Sequence, residues 1–182
     1  MSGDATVFAA AVGLRAANPE AVTALATLRQ TMDRQAPDRL LRFDLWEVRV
    51  RGELDSAGAE EMLRRYEDVV NPNKNTLTVL RGGFHDLPGC DSGPVWVPVR
   101  VHNLDDAASE AWLSLLAGAG YPVEELSVSV LWLLGYPRDT DPGQAQRLAE
   151  EAAVTRARSR GLLGNPVSQR IAVGEDALQA GL

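Results

Sequence analysis

Cysteine is almost missing from this chain. Cys90 is the only one in 182 residues, so no internal disulfide can form, and a reducing cytoplasm is the expected compartment. Lysine is equally scarce, with Lys74 alone against 17 arginines, a bias that decides nothing about mechanism. No apolar run is long enough to span a bilayer, because Arg15 and Asn18 break the apolar N-terminal stretch. That stretch, MSGDATVFAAAVGL, carries no basic leader ahead of its apolar part, which argues against a secretory signal. A basic stripe is missing as well. The net charge is −7, and residues 83–182 hold 7 basic against 13 acidic side chains, so most of the excess lies there. Phosphate backbones are bound by clustered cations, and neither nucleic acid nor membrane is an expected partner.

What remains is the composition of an ordinary folded protein, 45% apolar and 24% charged, long enough for one domain or two small ones. The informative feature is internal similarity. YEDVVNPNKNTLTV (Tyr66 to Val79) and RGLLGNPVSQRIAV (Arg160 to Val173) share an apolar pair, Asn-Pro, a few polar residues and an alternating apolar end. An offset of 94 carries Asn71-Pro72 onto Asn165-Pro166, Leu77 onto Ile171 and Val79 onto Val173, and an offset of 86 carries Leu45-Trp46 onto Leu131-Trp132.

Local patterns give both copies one element order. In the first, Thr6 to Leu14 reads as a strand, and Pro19 to Met32 as a helix with Val22, Leu25, Leu28 and Met32 inward. Leu40 to Arg51 follows as a strand whose apolar phase flips at Leu45-Trp46, predicting a bulge or bend there. Asp55 then caps a helix with Ala59, Met62, Leu63, Tyr66, Val69 and Val70 on one face, ended by Pro72. Thr76 to Leu80 closes the copy. The second copy runs Val95 to Val101, a helix capped by Asp105 or Asp106 with Ala108, Trp112, Leu115 and Leu116 inward, Leu126 to Leu134, a helix from Asp141 to about Arg158, and Arg170 to Val173. Ala145, Leu148, Ala149 and Ala152 face inward on the last helix, and GEDALQAGL reads as a loose tail.

The expected fold is therefore α+β: two β-α-β-α-β repeats, residues 1–82 and 95–182, joined by a linker over residues 83–94. Two three-stranded antiparallel sheets would pack face to face as a pseudo-twofold dimer with the helices outside. This order, with its Asn-Pro-Val ending at Asn165 to Val167, its partial form at Asn71-Pro72, and Arg15 followed by Asn18-Pro19-Glu20-Ala21, resembles the PurS-type small subunit of phosphoribosylformylglycinamidine synthase. The Arg-x-Gly-Lys segment of that family, expected around Phe43 to Val48 and Val128 to Leu133, occurs in neither copy. The resemblance implies a non-catalytic subunit that holds a glutaminase beside an ATP-dependent synthetase so that ammonia passes between them during purine biosynthesis. It implies those two subunits as partners, and leaves open a further pairing of two pseudo-dimers. The alternative is a binding or regulatory module of the same fold with no purine role.

No catalytic, cofactor-binding or metal-ligating residue is expected. His85, Asp86, Cys90 and Asp91 have the chemistry of a nucleophile pair or metal site, but they lie in a Gly/Pro-rich linker with no rigid element to hold them. His102 reads as a surface histidine. Glu60, Glu61, Arg64 and Arg65 read as ion pairs on a solvent face, Gly82-Gly83 opens no helix that could cradle phosphate, and Arg156, Arg158 and Arg160 read as a solvated helix end. The residues singled out for contact between repeats, or with a partner, are Trp46, Asn71, Pro72, Trp132, Asn165 and Pro166. For the two tryptophans, packing between the halves is the favoured use.

Overall fold

Two proline signals and two carboxylates set the helix starts. Asn18 accepts from the backbone N–H groups of Glu20 (2.9 Å) and Ala21 (3.2 Å) ahead of α1 (Pro19–Met32), and Asp141 accepts from Gln144 (2.9 Å) ahead of α4 (Pro142–Ala153). Proline suits the first helical position because its missing N–H has no partner there anyway. Asp55 caps α2 (Ser56–Arg64) through Gly58. Asp106 precedes α3 (Ala107–Gly118) without a capping bond. The computed structural model describes residues 5–81, 83–154 and 161–177. Its strands are β1 (Ala5–Leu14), β2 (Arg39–Arg51), β3 (Asn75–Leu80), β4 (Val95–Asn103), β5 (Val123–Tyr136) and β6 (Gln169–Val173).

These strands form one antiparallel six-stranded sheet in the order β3-β1-β2-β5-β4-β6. The expected face-to-face sheets are thus replaced by a single continuous one. The first half contributes β3-β1-β2 and the second β6-β4-β5, which leaves β2 and β5 each with an open edge. They close those edges on each other, satisfying backbone groups that would otherwise be left bare.

The register is symmetric about this seam. One rung crosses the whole sheet: Leu77 opposite Val12, Val12 opposite Asp44, Asp44 opposite Val130, Val130 opposite Val101, and Val101 opposite Ile171. Its outer residues are 94 apart and its inner ones 86 apart, the same offsets as in the sequence.

All four helices cover one face. One core joins α2 and α3 over Phe8, Ala10, Val12, Trp46, Val48, Val50, Leu77 and Val79. The other joins α1 and α4 over Leu40, Val97, Val99, Val101, Trp132, Leu134 and Tyr136. Each core therefore pairs the first helix of one half with the second helix of the other.

The opposite face is closed at one end by the segment read as a linker. Phe84 and Leu87 are buried there against Ala11, Phe43, Leu45, Leu131 and Leu133. Gly135 lies under Trp96, where an added Cβ would come within 2.8 Å of the ring. This arrangement explains the apparent phase flip at Leu45-Trp46. β2 keeps its alternation and its register with β5 from Arg39 to Arg49, and the irregularity falls between Arg49 and Val50. Leu41, Phe43 and Leu45 are covered by the 84–90 segment on one face, and Trp46, Val48 and Val50 by helices on the other. Burial changes sides while the register with β5 is kept.

Other differences are local. α1 buries Ala21, Ala24 and Leu28 and leaves Val22 57% exposed, because small side chains let the helix lie close to the sheet. α3 turns Ser109 and Leu116 inward and leaves Ala108 and Leu115 exposed. The hydroxyl of Ser109 accepts from the backbone N–H of Val128 at 2.8 Å, which sets that rotation. α2 stops at Arg64, yet Val69 and Val70 remain in the core through turns. The expected continuation of α4 to about Arg158 lies outside the described residues, as do Arg160 and Gly82. The expected loose tail begins as a 3-10 turn, Gly174–Ala177, with both end residues buried.

Candidate functional site

The two Asn-Pro segments build the same turn. Asn71 accepts from the backbone N–H of Asn73 through its side chain (3.0 Å), and its own N–H donates to the Asn75 side chain (3.0 Å). Asn165 accepts from Val167 (3.0 Å), and its N–H donates to the Gln169 side chain (2.8 Å). Side-chain oxygens acting as local backbone acceptors make Asn the natural residue here. The turns open β3 and β6, so Asn71, Pro72, Asn165 and Pro166 lie at opposite edges of the sheet, away from the β2–β5 seam.

Trp46 and Trp132 sit on the seam strands and are buried. Trp46 meets Trp112 edge-on at 5.3 Å, and Trp112 meets Tyr66 at 5.5 Å, so the cluster alternates between the halves. Trp132 packs instead beneath Arg42, whose guanidinium carbon is 5.9 Å from the ring centroid.

Arg42 defines the most distinctive site. Its Nε lies 2.7 Å from a Glu20 oxygen, and one terminal nitrogen lies 3.0 Å from Asp44. These charges border a cleft of about 240 Å³ lined by Val12, Leu14, Asn18, Asp44 and Asn75 among others. A second cleft of about 180 Å³, with Leu41, Phe43 and Pro88 on its far side, shares Leu14, Asn18 and Arg42 with it. Nothing local in the sequence singles out Arg42 or Asp44. Comparison at the offset of 86 does, because Arg42 and Asp44 stand where the second half has Val128 and Val130.

A second polar group is enclosed on the opposite face. Glu47 and Arg100, 3% and 7% exposed, form an ion pair across the seam. Arg100 also donates to Ser127 (3.3 Å), Ser127 is 3.4 Å from His102 Nδ1, and His102 Nε2 is 3.3 Å from Asp106. The contacts with Arg100 and Asp106 give His102 and Ser127 a structural role tying β4, β5 and the start of α3.

The linker residues do not assemble chemistry. His85 and Asp86 are exposed. Burial, reinforced by the Asp91 charge, pushes the Cys90 thiol up to about 11, the reverse of an activated nucleophile. Asp91 is held below the usual carboxylate range by the Arg39 guanidinium at 2.5 Å and the Gly93 N–H. Arg64 lies 3.4 Å from Glu60 on the exposed face of α2, as its spacing implies. Among the described residues, no group of three or more His, Cys, Asp or Glu side chains could hold a metal ion, and no helix is long and apolar enough to cross a membrane. No protein-family model matches the chain, and no curated protein or solved structure matches it either.

Proposed function

We propose that the chain is a non-catalytic assembly subunit similar to the PurS-type small subunit, made as two fused and diverged copies of one lobe. The observation that carries this reading is the rung from Leu77 to Ile171, whose two halves pair position for position about Asp44 and Val130. Two copies joined through one strand in this register would place identical residues across the centre, and divergence after fusion accounts for an aspartate facing a valine. The matched Asn-Pro turns support the same origin.

In this reading the subunit is cytoplasmic and bridges a glutaminase and an ATP-dependent synthetase, so that ammonia released by one reaches the other. Copurification with both enzymes in the presence of glutamine and nucleotide is the expected result. Failure to associate, with ammonia transfer unchanged when the chain is removed, refutes the proposal. The second reading is a binding module with no purine role. It is favoured by the missing Arg-x-Gly-Lys segment, since its expected positions are occupied by buried seam residues such as Phe43, Leu45, Trp46, Leu131 and Trp132. Purine genes adjacent to the coding gene favour the first reading, and unrelated neighbours the second.

A further inference from the structure

The residues read as a linker, 83–94, lie across the seam as a strap. Phe84 and Leu87 rest on Phe43 and Leu45 of β2 and on Leu131 and Leu133 of β5, so one short segment covers apolar side chains from both halves. Its backbone bonds are local: the Leu87 N–H donates to the Phe84 carbonyl and the Cys90 N–H to the Leu87 carbonyl, both at 3.0 Å. Among the described residues, the strap's backbone makes no hydrogen bond to the backbone of a strand. Two side chains tie it down instead. Arg39, at the start of β2, pairs with the Asp91 carboxylate (2.5 Å), donates to the Gly89 carbonyl (3.0 Å) and lies 5.2 Å over the Trp96 ring. Trp96, on β4, donates its indole N–H to the Asp91 carbonyl (2.8 Å).

This attachment is lopsided. The apolar side chains hold by burial alone, and most of the polar contacts gather on one partly exposed arginine. Gly83, with φ 132°, begins the strap in a conformation that favours glycine. Beside Pro88, a cleft of about 180 Å³ separates the strap from Leu14, Ala21 and Val22. Segments with few bonds to the rest of a fold open on their own, ahead of global unfolding.

We infer that residues 83–94 form a latched cover over the seam, which opens as a unit when Arg39 releases it while the six-stranded sheet stays intact. Opening bares Phe43, Leu45, Leu131 and Leu133 together and brings Cys90 into solvent. The device belongs to the strap alone and holds under either reading of the function.

Alkylation of Cys90 by iodoacetamide reads the opening in the full-length protein, at urea concentrations below the unfolding transition. Arg39→Ala removes the ion pair, the Gly89 bond and the ring contact at once. Trp96→Phe removes only the indole bond and keeps a ring beneath Arg39. Both variants are expected to react faster, Arg39→Ala by about five- to tenfold, the scale of an exposed ion pair with one hydrogen bond and a ring contact. Burial and then the Asp91 charge raise the thiol's pKa, and the Arg39 guanidinium offsets part of that. Losing Arg39 would by itself slow the reaction, so acceleration reports opening. The wild-type rate is expected to vary little with urea, because local opening exposes little surface, whereas amide exchange at Leu131 and Leu133 should rise steeply. Alkylation unchanged or slowed in either variant, or following urea as steeply as those two amides, overturns the inference.

Discussion

Single residues carry two kinds of information here: a thiol made inert and a hydroxyl left over. Cys90 needs a thiolate to react, and with its pKa raised to about 11 the thiol stays protonated at neutral pH and ionises only as pH climbs through that value. Iodoacetamide at pH 8 is therefore expected to alkylate it on the order of a hundredfold more slowly than free cysteine, and a rate near that of free cysteine would contradict its burial. Tyr136 is 1% exposed, and its hydroxyl has no hydrogen-bond partner among the described residues. Burial, with the charge of Glu151 adding to it, keeps the phenol neutral. Removing an unpaired buried hydroxyl relieves a desolvation cost, so Tyr136→Phe is expected to leave stability to urea unchanged or raise it by up to about 1 kcal/mol. A clear loss would mean that the hydroxyl has a partner in solution.

Elements separate what the sequence could show from what it could not. Helix starts were legible because capping is local: Asp55 and Asp141-Pro142 name their own positions, and both caps form. Asp141→Ala is accordingly expected to cost about 1 kcal/mol in urea unfolding. Asp106→Ala should cost roughly half a kcal/mol or less, because Asp106 makes no capping bond and only pairs with His102 near the surface. Equal costs would show that α3 is capped as α4 is. The inward face of α1 was not legible, since Val22 looks more apolar than Ala21 or Ala24 while close approach to the sheet selects the alanines. The unbroken register of β2 through Leu45-Trp46 was hidden for a related reason. Its two faces are buried in different halves, by the 84–90 segment and by helices, and one-dimensional periodicity reads such an exchange as a flip. The clefts beside Arg42 depend on where β1 leaves β2, a tertiary fact with no local signature.

At the scale of the molecule, the matched sequence offsets were visible but the packing of the strands was not. Apolar faces suggested sheets stacked on each other, whereas the open edges of β2 and β5 drive an edge-to-edge union, and Phe84 and Leu87 supply the cover for the second face. Both cores mix helices from the two halves, so neither half holds a complete core of its own. The register then predicts unequal behaviour of the halves expressed separately. Residues 83–182 pairing with themselves would set Val130 against Val130 and Val128 against Trp132, and a dimer is expected by light scattering. Residues 1–82 doing the same would set Asp44 against Asp44, and like charges directly opposed destabilise a strand pair, so a folded dimer is not expected unless Asp44→Val is introduced. Identical dimerisation of the two halves would contradict a destabilising effect of Asp44 at the centre of the pairing.

The seam is the claim on which the rest depends, and interstrand nuclear Overhauser contacts measure it most directly. The account predicts backbone contacts linking Leu41 to Leu133, Phe43 to Leu131, Leu45 to Ser129 and Glu47 to Ser127, centred on Asp44 and Val130. A spectrum in which β1 and β3 show their contacts with each other, but β2 shows none with β5, would contradict it.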